Sequence, residues 1–186
     1  MKLSIFCSSK KDYNMKFNKE VLQLFKHLSN YPIHYAYGGG NDGLMGSIRT
    51  QLLELNKTIH VVNCERWRDP IDDTHTLIHS EYYNTISHRQ SRLIEVSDGM
   101  IVLPGGVGTL YETLQVLTMN DIREHKKPVF LFNVHGYYNH LIDMIEESRN
   151  HNMITKTNDE LLLYICNTSQ DMITSISTFF KLSPLH

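Results

Sequence analysis

Short apolar runs alternate along this chain with segments whose apolar positions recur at helical spacing. Residues 3–7 read as a strand. Phe17, Val21, Leu24, Phe25 and Leu28 then share one helical stripe, which ends before Pro32. A second strand pattern covers 33–37, followed by a helix over 44–55 and a strand over 58–63. From 64 to 85 no period is clear, and Pro70, Asp72 and Asp73 fall inside. That stretch reads as a long loop with at most one turn of helix, and loops of that length are often functional. Beyond it the pattern predicts helix 88–96, strand 100–103, helix 110–122, strand 129–132, helix 137–149, strand 161–166 and helix 169–181.

Six strands, each followed by a helix or a helix-bearing crossover, predict one α/β domain over 1–186. The architecture expected is a Rossmann-like three-layer sandwich, a mostly parallel six-stranded sheet with helices on both faces. A continuous apolar run such as Met100-Ile101-Val102-Leu103 suits a strand buried on both sides. In open sheets of this kind ligands sit beyond the carboxyl ends of the strands. Here those ends carry the glycines.

Composition narrows the function classes. The 186 residues carry a formal net charge of −2, which argues against a dedicated nucleic-acid binder. A phosphate site must therefore be local, built from backbone N–H groups and one or two arginines. Cys7, Cys64 and Cys166 are scattered and form no CxxC pair, so they read as buried, reduced thiols of a cytoplasmic protein. The apolar pattern begins at once, with no signal peptide or membrane-spanning run in view, so no membrane partner is expected.

Two glycine segments lie at strand-to-helix turns. The first is Tyr37-Gly38-Gly39-Gly40-Asn41-Asp42-Gly43-Leu44-Met45-Gly46. Its spacing is not the dinucleotide fingerprint, and no acidic residue closes the next strand. It is either a turn that needs glycine for its dihedrals or a place where backbone approaches a ligand. The second is Leu103-Pro104-Gly105-Gly106-Val107-Gly108-Thr109-Leu110-Tyr111-Glu112. Its glycines expose successive N–H groups at a helix start, where the dipole favours a phosphate. Thr109-x-x-Glu112 also has the form of a capping box, so Glu112 has two readings, cap or site. Ser87-x-x-Gln90 has capping-box form as well. Between them Arg89 is either a surface residue or a fixed guanidinium for phosphate or carboxylate, while His88 is expected to be exposed and idle. The eleven histidines form no HExxH set, and no GxSxG elbow is present.

With these residues the chain resembles the LOG family of nucleoside 5′-monophosphate phosphoribohydrolases. Residues 104–112 match its PGGxGTxxE signature, and 37–46 are similar to its YGGGxxGLMG segment. Ile5-Phe6-Cys7-Ser8-Ser9 resembles its first strand, and Asn133-Val134-His135-Gly136-Tyr137-Tyr138 its NxxGYY turn. The resemblance runs over nearly the whole chain in the family's order. It implies Arg89 and Glu112 as the catalytic pair, and Gly105, Gly106, Gly108 and Thr109 as the phosphate loop. Ser8, Gly39 and Gly40 fall near the nucleotide's other side. It further implies a purine nucleoside 5′-monophosphate as substrate, a homodimer, and no metal or other cofactor.

The chain departs from the family's pattern in places. Ile86-Ser87-His88-Arg89-Gln90 stands where MHxRK is expected, and the family's Pro-Lys after the third strand is replaced by Asn63-Cys64. Thr118-Met119 replaces Thr-Trp, and Tyr111 stands where a further glutamate is common. These changes spare Arg89 and Glu112 but touch the base pocket. The alternative reading is an AMP-type sensor that binds nucleotide without cutting it; Gln90 in place of lysine feeds that reading, and retained Arg89 and Glu112 oppose it.

Overall fold

The computed structural model describes residues 1–11, 15–155 and 157–185. Among them the strands are β1 (Lys2–Phe6), β2 (His34–Tyr37), β3 (Ile59–Cys64), β4 (Ile78–Tyr83), β5 (Gly99–Val102), β6 (Val129–Phe132) and β7 (Leu163–Cys166). The helices are α1 (Asn18–Leu28), α2 (Gly43–Glu54), α3 (Pro70–Thr74), α4 (Ile86–Glu95), α5 (Val107–Asp121), α6 (Asn139–Asn150), α7 (Asn158–Leu161) and α8 (Ser169–Phe180). The strands form one sheet in the order β4-β3-β2-β1-β5-β6-β7, and every neighbouring pair is parallel.

Side chains alternate across the sheet and so divide the core in two. Leu3 and Ile5 of β1, Ile59 and Val61 of β3, and Ile101 of β5 pack with α1, α2 and α8. Phe6, Val62, Met100 and Val102 pack on the opposite face with α4, α5, α6 and α7. The three-layer sandwich expected from the apolar pattern is thus present.

The sheet has seven strands, not six. The stretch 64–85, expected as a loop, contains α3 and the edge strand β4. β4 pairs with β3 along its whole length, from Ile59↔Ile78 to Cys64↔Tyr83. Its residues are only partly buried. An edge strand needs no continuous apolar run, so Ile78-His79-Ser80-Glu81-Tyr82-Tyr83 carries little periodicity to read. α3 starts where the Asp69 carboxylate accepts from the Ile71 N–H at 2.9 Å with Pro70 in the first turn. It is anchored by the buried Asp72, which accepts from Arg49 of α2 at 2.7 Å. The last strand is also shorter than expected, because residues up to Leu161 form α7 and Leu162 turns left-handed at φ 55°.

From β1 the chain steps outward through β2, β3 and β4, then crosses back to β5 on the other side of β1. The order therefore reverses between β1 and β5, the switch point at which such sheets open a crevice. Among the described residues no helix is long and apolar enough to cross a membrane.

Candidate active site

The turn after β1 joins the two glycine segments. Ser8 N–H donates to the Pro104 carbonyl at 3.2 Å, and the Met45 N–H donates to the Ser8 carbonyl at 3.0 Å. One residue thereby fixes the spacing between the loop after β5 and the first turn of α2. The Ser8 hydroxyl oxygen accepts from the Lys10 N–H at 3.3 Å.

At the switch point α5 begins at Val107, with Gly106 as its N-cap and no side-chain cap bond among the described residues. This corrects the capping-box reading: Thr109 is already inside the first turn, and Glu112 lies beyond any capping position. The first-turn N–H groups are left for another partner. A Cβ built on Gly106 or Gly108 would meet nothing within 4 Å among the described residues. The chain's own packing therefore does not demand glycine at either position, and residues 106–108 at the helix start are exposed. Gly105 differs, since its Cβ would stand 2.1 Å from Thr109 Oγ1. Thr109 is buried against that glycine and shapes the loop from within.

Two tyrosines hold this loop from outside. Tyr137 Oη donates to the Gly105 carbonyl and Tyr138 Oη to the Leu103 carbonyl, each at 2.7 Å. The turn that presents them is locked by Asn133, whose Nδ2 donates to Asn139 and Asn167 while its Oδ1 accepts from the Tyr138 N–H.

α4 brings the cation. Its N-cap is Thr85, which accepts from the His88 N–H at 3.2 Å, so the expected Ser87–Gln90 capping box is absent. Arg89 turns inward instead. Its Nη1 donates to Glu112 Oε1 at 2.7 Å and to Gln90 Oε1 at 3.2 Å, and its Nε donates to the Val62 carbonyl at 3.0 Å. The Arg89 and Glu112 side chains are only 12% and 11% exposed. His88 is exposed, as expected. Burial pushes the Glu112 carboxyl above the usual carboxylate range, and the Arg89 charge pulls it back. Burial first, and then the Glu112 charge, hold the Cys7 thiol protonated. Cys7, Cys64 and Cys166 are all buried and unpaired by disulfides.

The first glycine segment supplies walls. Gly38 gives its side-chain volume to the Arg89 guanidinium. Gly39 has φ +78°, and its carbonyl accepts from Asn63 Nδ2 at 3.1 Å. The Gly40 N–H faces Met45 Sδ at 3.2 Å. Arg89, Glu112, Ser8 and both glycine segments therefore meet at the carboxyl ends of β1, β2, β3 and β5. Sequence reasoning missed Gly38, Asn63 and the inward-facing Gln90. Gly38 carried a signal, as the first of three glycines; Asn63 and Gln90 stood out only as departures from the family's pattern, not as residues with a structural role of their own.

Known proteins resemble this chain in sequence and in fold. The family model described as "Possible lysine decarboxylase" matches residues 44–176. The cytokinin riboside 5′-monophosphate phosphoribohydrolase LOG1 of Arabidopsis thaliana is 32% identical over 158 residues, 84% of this chain and 73% of that protein. The probable cytokinin riboside 5′-monophosphate phosphoribohydrolase LOG4 of Oryza sativa subsp. japonica is 30% identical over 145 residues, 78% of this chain and 63% of that protein. Among solved structures, the Moco carrier protein of Chlamydomonas reinhardtii superposes with a TM-score of 0.69 at 16% identity, covering 97% of each chain, which speaks to the fold alone. The extent of the family match and the identity to these relatives establish that the chain belongs to the LOG family, whose model carries the lysine decarboxylase description.

Proposed function

We propose that this chain hydrolyses the N-glycosidic bond of a purine nucleoside 5′-monophosphate, giving free base and ribose 5-phosphate. The observation that carries the reading is the buried Arg89–Glu112 pair at the same end of α5 as its exposed N-terminus, which has no side-chain cap among the described residues. In this reaction the bond from C1′ to the base nitrogen breaks with its electron pair leaving on the base. Water supplies hydroxide to C1′ and a proton to the base. Positive charge builds on the ribosyl ring as the bond lengthens, and the Glu112 carboxylate stabilises it. The logic is that of glycosidases that work with carboxylates. Arg89 holds Glu112 in place and favours its charged form against the opposing effect of burial, in surroundings dry enough for the charge to matter. The first turn of α5 takes the 5′-phosphate, and that remote binding positions C1′.

The relatives' names support the same chemistry, since they are called phosphoribohydrolases of cytokinin riboside 5′-monophosphates. The test is to incubate the protein with a panel of nucleoside monophosphates and to resolve free base and ribose 5-phosphate by chromatography. AMP or an N6-substituted AMP is expected to be cleaved and the matching nucleoside hardly at all. Equal rates with and without the phosphate would contradict the proposal. AMP binding with no cleavage across the panel would support a sensor instead.

The proposal includes a homodimer. Val107, Tyr111 and Leu114 are 84%, 49% and 45% exposed and follow one another at helical spacing on α5. Ile86 at the start of α4 is 44% exposed. An apolar row of this kind beside a site suits a second copy of the chain.

A further inference from the structure

Trp67 is the sole tryptophan of the chain, and it is 53% exposed. It ends the short 3-10 turn Glu65–Trp67 that follows β3, with the Arg66 guanidinium over its ring at 4.1 Å from the centroid. An indole left in water forfeits a large burial gain, so its placement calls for a use.

The turn is tied to the candidate site. Asn63 is buried, and its Nδ2 donates to the Gly39 carbonyl at 3.1 Å and to the Trp67 carbonyl at 3.0 Å. Its Oδ1 accepts from the Cys64 N–H at 2.8 Å, which fixes the amide's orientation. A second tie joins Asn41 of the glycine segment to Asp69. The residue before Asn63 is Val62, whose carbonyl holds Arg89 Nε. One asparagine thus links the tryptophan turn to Gly39, which follows the glycine that borders the Arg89 guanidinium.

We propose that Trp67 is the stacking platform for the purine ring of the nucleotide, a proposal that rests on reading the Arg89–Glu112 site as a nucleotide site. Arg66 covers one face of the indole, and the opposite face receives the base. Stacking on an aromatic ring tolerates different substituents, because every base has a π-face. The platform would accordingly select for a flat heterocycle and leave its edges to other groups.

Because Trp67 is the sole tryptophan, its fluorescence reports on the platform directly. AMP is expected to quench it saturably, whereas ribose 5-phosphate, which has no base, binds without quenching. Trp67→Ala is expected to weaken AMP binding by about tenfold or more and to leave the inhibition constant of ribose 5-phosphate unchanged. Trp67→Phe is expected to restore most of the affinity. An AMP affinity unchanged in Trp67→Ala, or equal quenching by AMP and ribose 5-phosphate, would overturn the proposal. Base-dependent quenching with no free base released would keep the platform and remove hydrolysis. Failure of AMP to bind at all would remove both.

Discussion

Arg89 occupies the volume that a side chain at residue 38 would need: a Cβ on Gly38 would stand 1.6 Å from Arg89 Nη2. The obstructing atom is the far end of a flexible side chain rather than backbone. Gly38→Ala is therefore expected to fold and to push the guanidinium off its bond to Glu112. Turnover should drop by about tenfold or more, at least ~1.4 kcal/mol of transition-state stabilisation. Steady-state kinetics beside a circular dichroism melt checks this, and a fully active Gly38→Ala protein would mean that the position of Arg89 is not critical.

The exposed row on α5 predicts self-association. Light scattering at micromolar protein is expected to report a dimer, and Leu114→Asp is expected to shift it toward monomer by burying a charge in the apolar contact. A monomeric parent protein would remove the proposed interface.

Away from the site, His60 gives the fold a pH dependence. Its Nδ1 lies 3.0 Å from Lys2 Nζ and its Nε2 lies 2.8 Å from Glu81 Oε1. Burial, with help from the Lys2 charge and against the pull of Glu81, lowers its pKa from the ordinary 6.5 to about 4. Between those values the unfolded chain binds the proton that the folded protein refuses. The contribution of His60 to stability is therefore present above about pH 6.5 and is lost as the pH falls toward about 4. Denaturant melts across that window are expected to show a smaller loss of stability for His60→Gln than for the parent. Parallel curves would show that His60 has an ordinary pKa.

Much of this was legible in the residues, and the failures have physical causes. The strands buried on both faces announced themselves as apolar runs, Val129-Phe130-Leu131-Phe132 being one. β4 did not, because an edge strand with one neighbour is half solvated and its polar residues erase the pattern. The loop motifs placed Arg89 and Glu112 in the right segments, but local spacing could not decide between cap and site. That decision lay in where α5 begins, and a start at Val107 leaves Glu112 facing Arg89 across the sheet's end. Asn63 was visible only as a departure from the family's pattern, because its bond to Gly39 joins residues remote in sequence. Gln90 was read as a cap or a lost lysine, because only the inward turn of α4 buries it beside Arg89.

The central claim is that the charge of Glu112, rather than its shape, drives cleavage. Glu112→Gln keeps the volume and can still accept from Arg89 while removing the negative charge. The decisive measurement is kcat for release of free base from AMP, or from the best substrate of the panel, by this variant, with nucleotide binding measured alongside. The account predicts turnover lower by about a hundredfold or more, equal to roughly 2.7 kcal/mol or more of lost electrostatic stabilisation, with binding retained. Near-parental turnover in a folded, nucleotide-binding Glu112→Gln protein would contradict it.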